Sequence, residues 1–250
     1  MVPLRGPRVV VWSSLANSIR LAQNLLRQVL STACSKRADC FGITSKRTPQ
    51  NGSESYATTV SPLAERYLAL YENGYFPMAD QDGRVRAYCY DPRGVLPLAE
   101  FHIPRRLTRW LRTQPYRLTI NQAFPEVIRS CGQRRTTWLC PEIESIFREL
   151  NEAGLAHSLE AWQDEQLVGG LYGLALGGTF CGESMFSRAD NASKACLVEL
   201  YRRMCQGGFD LIDCQEVTPT LAQFGARQIP FAQYFQMFRS SREKDCKLDG

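Results

Sequence analysis

The chain has 250 residues, 44% of them hydrophobic and 22% charged, with a formal net charge of +5. That length buries a sizeable core as one large domain or two small ones. Arg, Asn, Gln or Glu breaks every apolar run short of the roughly 20 residues that span a bilayer, so a membrane-spanning helix is excluded and a soluble protein expected.

The charge is uneven. Residues 1–60 hold eight basic residues (Arg5, Arg8, Arg20, Arg27, Lys36, Arg37, Lys46 and Arg47) against Asp39 and Glu54, a net of +6. The first 56 residues are rich in Arg, Ser and Thr, and their composition fits an organellar transit peptide, a basic arm, or sequence read from an upstream start codon. An amphipathic helix from Val10 to Leu30 is compatible with all three. We expect a disordered basic leader over 1–56, a smaller N-terminal α/β layer over 57–150, and an acyltransferase-like domain over 151–250. The protein is expected in the cytoplasm, or in an organelle if the leader targets it there.

A helix beginning near Pro62 places Leu63, Tyr67, Leu70 and Tyr71 on one face and stops at Asn73-Gly74. Short strands follow at Val85 to Tyr90 and Tyr116 to Ile120, with a helix from Pro104 to Thr113 between them. Asn121 is placed to cap a further helix running to Cys131. This is the basic part of the body: residues 84–135 carry eleven arginines against Asp91, Glu100 and Glu126, a local charge of +8. Tyr75, Phe76, Tyr88, Tyr90, Trp110, Tyr116 and Trp138 are interleaved with them. Aromatic faces stack on unpaired bases while arginine meets phosphate, a pattern suited to a single-stranded RNA end, although the same aromatics suit a core. Arg84, Arg86, Arg105 and Arg134 are candidates for phosphate contact.

Pro141 opens a helix with Ile143, Ile146, Phe147 and Leu150 in line and Gly154 just past its end. From Ala156 the pattern becomes strand-like: His157 to Trp162, a turn at Asp164-Glu165, Gln166 to Leu176, a turn at Gly177-Gly178, then Thr179 to Ser184. This reads as an antiparallel meander. Asp190 or Asn191 caps a long helix to Cys205, and Phe209 to Gln215 is a buried strand. The order suggests an α+β fold with an acyltransferase-like core and a smaller N-terminal layer beside it.

Two sites could carry chemistry. Glu183 sits in Cys181-Gly182-Glu183-Ser184-Met185-Phe186, where a carboxylate among apolar neighbours needs hydrogen-bond partners or a ligand amine; bonding to nearby backbone amides would serve as well. Asp213 and Gln215 end the last strand, and alternation points both to one face at the carboxyl edge of a sheet. An amine nucleophile needs such acceptors and a route for its proton, although a polar strand end that meets solvent would read the same way. Ten cysteines form no Cys-x-x-Cys pair, and His102 and His157 are the only histidines, so structural zinc is not expected. Gly-x-Ser-x-Gly is absent, and His157 reads as a structural residue. The junction Ser187-Arg188-Ala189-Asp190-Asn191-Ala192 lacks the glycine that cradles a pyrophosphate, which argues against coenzyme A.

Read together, Gly74-Tyr75-Phe76-Pro77, Asp91-Pro92-Arg93, Thr137-Trp138, Ala156-His157-Ser158, Leu167 through Gly173, GESMFS from Gly182, NASK from Asn191, and Leu211 through Gln215 resemble the leucyl/phenylalanyl-tRNA-protein transferase family over about Pro62 to Phe235. The resemblance implies a GNAT-like carboxy-terminal domain and transfer of an aminoacyl group (Leu, Phe or Met) from aminoacyl-tRNA to a protein beginning with Lys or Arg, tagging it for degradation. It implies a monomer working without metal or cofactor, since the ester is already activated. Glu183, Asp213 and Gln215 match its polar site, and Leu171, Phe180, Met185, Leu200 and Ile212 its aminoacyl pocket. Position 78 and Trp138 match the aromatics at the tRNA 3′ end. Met78 stands where tryptophan is usual and Leu200 where phenylalanine is usual; Thr220 replaces an expected histidine and Phe231 an arginine. The competing functions are a GNAT-fold N-acyltransferase with another donor and a non-catalytic module binding tRNA ends.

Overall fold

The structure, a computed structural model, describes residues 8–10, 60–113, 115–134 and 137–248. Of the leader expected over 1–56, Arg8–Val10 (β1) is described, as a strand; the rest, including the helix expected from Val10 to Leu30, lies outside the described residues. Helix α1 (Pro62–Glu72) starts where Ser61 Oγ accepts from the Ala64 amide and Pro62 occupies the first turn, where no N–H is needed. It ends on Gly74 at φ +78°, with the Tyr75 amide donating back to the Leu70 carbonyl, a closure that favours glycine because φ is positive. The chain then forms the hairpin β2 (Phe76–Ala79) and β3 (Val85–Cys89), and β1 pairs with the outer edge of β3.

The elements that follow are β4 (Arg93–Pro97), α2 (Arg105–Leu111), β5 (Arg117–Ile120), α3 (Phe124–Gly132), α4 (Pro141–Glu152), the meander β6 (Ala156–Gln163), β7 (Gln166–Leu176) and β8 (Thr179–Ser187), then α5 (Ala192–Gln206), β9 (Leu211–Gln215), α6 (Pro219–Ala222), β10 (Arg227–Ile229) and α7 (Phe231–Arg242). Seven strands make one sheet in the order β10-β4-β9-β8-β7-β6-β5. Its described neighbours are antiparallel except β8 and β9. The protein is therefore α+β with a mostly antiparallel sheet. Strands from both sides of residue 150 share that sheet: β5 extends it beyond β6, and β4 lies between β9 and β10.

Helices cover both faces. On β7, Tyr172, Leu174 and Leu176 point to one core, with Tyr67, Phe124, Phe147 and Phe238 of α1, α3, α4 and α7. Leu171 points the other way, to a core with Leu96, Leu107, Phe180, Leu200 and Phe224, between the sheet and α5. Each fully buried Leu or Phe contributes about 1.5–3 kcal/mol relative to exposure.

Two expected caps are corrected. Asn121 is left-handed at φ 56° and does not cap α3; its Oδ1 accepts from the Ser158 amide at 3.0 Å, and its Nδ2 lies 3.0 Å from His157 Nδ1, tying β5 to β6. Asn191 precedes α5 without a side-chain cap bond, and Ser187 Oγ accepts from the Ser193 amide instead, at 3.2 Å. His157 is buried in that network, in keeping with a structural role.

Candidate active site

The site forms where two strands part. β8 and β9 are parallel partners at Thr179↔Leu211, Phe180↔Ile212 and Cys181↔Asp213, where the described pairing ends. Beyond it β8 stays on β7, while β9 stays on β4, where Gly94 faces Gln215. A cavity of about 280 Å³ opens in this fork, at the carboxyl ends of the parallel strands. On β8 the register jumps, since Gly173 faces Gly182 and Tyr172 faces Ser184, and this bulge turns Glu183 out of the ladder toward the cavity. Gly173 makes that crossing feasible: a Cβ there would lie 2.6 Å from the Phe180 ring.

All five expected pocket residues line this cavity: Leu171, Phe180, Met185, Leu200 and Ile212. Leu197 and Leu221 complete the apolar wall, and sequence reading had not singled them out. Met78 and Trp138 stand in the same lining, brought together because the Ala79 amide donates to the Trp138 carbonyl at 2.9 Å. Arg134 is also there, donating to Ser184 Oγ at 3.0 Å and to the Met185 carbonyl. The other three arginines are dispersed: Arg84 is exposed at the β2–β3 turn, Arg86 pairs with Asp80 at 2.6 Å, and Arg105 is exposed at the start of α2. Arg106, Arg109 and Arg112 are exposed with Arg105, so that short stretch presents a basic face.

The three polar candidates separate in role. Glu183 and Gln215 line the cavity, whereas Asp213 is fully buried behind it. Asp213 Oδ1 accepts from Arg93 Nε at 2.8 Å and from the Gln215 amide at 3.0 Å; Oδ2 accepts from an Arg93 terminal nitrogen at 2.6 Å and from Tyr234 Oη at 2.8 Å. The shared face expected for Asp213 and Gln215 is lost because Gln215 is left-handed, at φ 55°, which redirects its side chain. Such a conformation costs a non-glycine residue about 1–3 kcal/mol and persists only when its surroundings over-determine it.

Burial pushes the Glu183 carboxyl up to about 8, and the nearby Asp213 charge adds to this, while Tyr71 and Arg93 oppose it. As a whole residue Glu183 is only half-buried, because one side faces the cavity. The Tyr71 hydroxyl is close enough to favour the Glu183 charge, but neither Tyr71 Oη nor Glu183 Oε1 makes a hydrogen bond of good geometry. Tyr172 Oη and Gln215 Nε2 are likewise buried without a partner. Buried polar atoms left unpaired cost roughly 1–3 kcal/mol each, so their gathering around one cavity points to a polar ligand. Sequence reading missed Tyr71, Tyr172, Tyr234 and Arg93 as contributors. Arg93 left two signals, its place in the Asp91-Pro92-Arg93 motif and a charge at the head of the apolar run Val95-Leu96-Pro97-Leu98.

Among the described residues no group of three His, Cys, Asp or Glu could hold a metal ion, and no helix is long and apolar enough to cross a membrane. A cavity with an apolar wall that ends in a carboxyl raised by burial and an unpaired amide suits an enzyme of the acyl-transfer class. The family model described as leucyl/phenylalanyl-tRNA protein transferase matches residues 95–239. Relatives named leucyl/phenylalanyl-tRNA–protein transferase include that of Phenylobacterium zucineum, 51% identical over 68% of this chain and 80% of its own. That of Paramagnetospirillum magneticum is 50% identical over 68% and 85%, and that of Herpetosiphon aurantiacus 48% identical over 67% and 87%. The chain belongs to the leucyl/phenylalanyl-tRNA protein transferase family of aminoacyltransferases. Among solved structures, L-PGS from Bacillus licheniformis has a TM-score of 0.37 at 13% identity over 60% of this chain and 49% of its own, a likeness too slight to bear on the fold.

Proposed function

We propose that this chain transfers leucine, phenylalanine or methionine from aminoacyl-tRNA to the amino terminus of proteins that begin with Lys or Arg, marking them for degradation. The observation that carries this reading is the fork between β8 and β9, where five apolar side chains form one pocket with Glu183 and Gln215 beside it. The donor side chain fills the pocket, and the ester lies at the Gln215 amide. The acceptor nitrogen attacks the ester carbonyl carbon, forming the amide C–N bond; the C–O bond to the ribose breaks. Glu183 takes the proton from the nitrogen and returns one to the departing ribose oxygen. A carboxyl near 8 suits both halves, since a free α-amino group titrates at about 7.7–8.0. Asp213 acts from behind, through the Gln215 backbone.

In this reading Met78 and Trp138 hold the terminal adenosine, and Arg134 and the exposed arginines at 84 and 105 meet phosphate. Arg86, paired with Asp80, contributes less. The antiparallel meander β6–β8, α5, and β9 parallel to β8 support a GNAT-like core.

The test offers tRNA charged with radiolabelled leucine or phenylalanine to a protein with amino-terminal Arg, using the full chain. Label is expected at the acceptor's amino terminus. Binding of the charged tRNA without transfer would leave only a module for tRNA ends, and transfer from another activated donor alone would reassign the substrate.

A further inference from the structure

The buried pair behind the cavity is more elaborate than stability requires. Arg93 is wholly buried, its guanidinium between the Phe76 ring at 4.9 Å and the Tyr234 ring at 4.6 Å. Replacing a buried ion pair by apolar residues of similar volume is often neutral for stability, so such a pair calls for another account. The contacts supply one. Besides holding both oxygens of Asp213, Arg93 donates from its remaining terminal nitrogen to the Gly74 carbonyl at 3.1 Å. Gly74 joins α1, which brings Tyr71 to Glu183, to β2, which brings Met78 to the cavity mouth. Asp213 Oδ1 in turn accepts from the Gln215 amide, within the turn that holds the left-handed residue. One planar group thus ties the end of β9 to the α1–β2 connection.

We propose that Arg93, which lies outside the cavity, is a positioning residue for the transfer reaction: it fixes Asp213, and through it the backbone of Gln215, relative to the wall that carries Tyr71 and Met78. The proposal rests on the reaction proposed above. A lysine keeps the charge but presents its three donors from one nitrogen, so it cannot hold both carboxylate oxygens and the Gly74 carbonyl in one plane. The defect should therefore be one of geometry, appearing in kcat and not in the binding of donor.

The experiment is a double-mutant cycle on the full chain with Arg93→Lys, Gln215→Ala and the pair, reading kcat, KM for leucyl-tRNA and the thermal transition of each. Arg93→Lys is expected to lower kcat about tenfold with KM within about twofold, and to cost little further in the Gln215→Ala background, because both changes remove the same oriented amide. Independent losses that multiply would overturn the proposal, as would wild-type kcat in Arg93→Lys. If Arg93→Lys fails to fold, the same cycle runs with Tyr234→Phe, which frees Asp213 Oδ2 of one partner without unbalancing a charge; it is expected to lower kcat about threefold, again only when Gln215 is present. No transfer by the wild-type chain, with charged tRNA bound, would overturn the reaction itself.

Discussion

Glu183→Gln should make the protein more stable and less active, with the stability gain depending on pH. The folded state holds the Glu183 carboxyl near 8 against an ordinary 4.5, so at intermediate pH it keeps a proton that the unfolded chain has lost. Stability from this group is complete below about 4.5 and is lost as pH rises through about 8. At about 1.36 kcal/mol per pH unit the full rise corresponds to nearly 5 kcal/mol, and water reaching the side chain through the cavity reduces it to about 2 kcal/mol. For a chain of this size that is about 4–8 °C in Tm. Thermal unfolding of wild type and Glu183→Gln from pH 4.5 to 8.5 should show curves that coincide at the acid end and separate to about that extent at the alkaline end. Transfer by the variant should fall about tenfold or more, the loss of a charge-assisted hydrogen bond and of the proton carrier. A variant no more stable than wild type at pH 8.5, or a gap independent of pH, would refute the reasoning.

Donor choice should follow the pocket: in a panel of charged tRNAs offered to one Arg-started peptide, leucine, methionine and phenylalanine should be transferred and aspartate or lysine should fail, since the apolar wall leaves a charge uncompensated. Leu200→Phe should shift preference toward leucine by about tenfold, within the range a methylene or two commands in an apolar pocket. Replacing exposed Arg105 by Ala should reduce the dependence of log affinity for tRNA on log salt by about 0.7–0.9, measured by filter binding at several ionic strengths; an unchanged slope would remove Arg105 from the phosphate contacts. Gly173→Ala should cost about 1–3 kcal/mol in denaturant unfolding and depress transfer, because its methyl would press on the Phe180 ring and the Cys181 carbonyl at the bulge that aims Glu183.

The elements legible in sequence were those with local punctuation. Pro62 and Gly74 bracket α1, and Asp164-Glu165 and Gly177-Gly178 divide the meander at the turns found. The five apolar residues singled out through family motifs all line one cavity, together with Leu197 and Leu221, which those motifs did not single out. β4 was not legible: Arg-Gly-Val-Leu-Pro has no alternation because it is buried throughout between two strands. Its place beside β9 depends on partners more than a hundred residues away. The divergence of Asp213 from Gln215 was hidden for a related reason, since strand alternation holds only while φ stays negative, and Gln215 departs from it. Asn121 misled because its side chain is drawn to Ser158, Asn151 and His157, and not to the helix that follows it.

Leu171, Phe180, Leu200 and Ile212 at once line the cavity proposed to hold the donor side chain and belong to the hydrophobic cluster beneath α5. A change in the amino acid this enzyme accepts is therefore also a change in the interior that keeps it folded. Enlarging the pocket removes packing from the sheet, and narrowing it forces α5 outward. Variants with a new preference should carry compensating replacements along the buried side of α5, at positions such as Cys196 or Met204 that lie outside the cavity lining. Lineages that diverge in specificity would then differ at sites remote from the donor, in pairs that exchange volume.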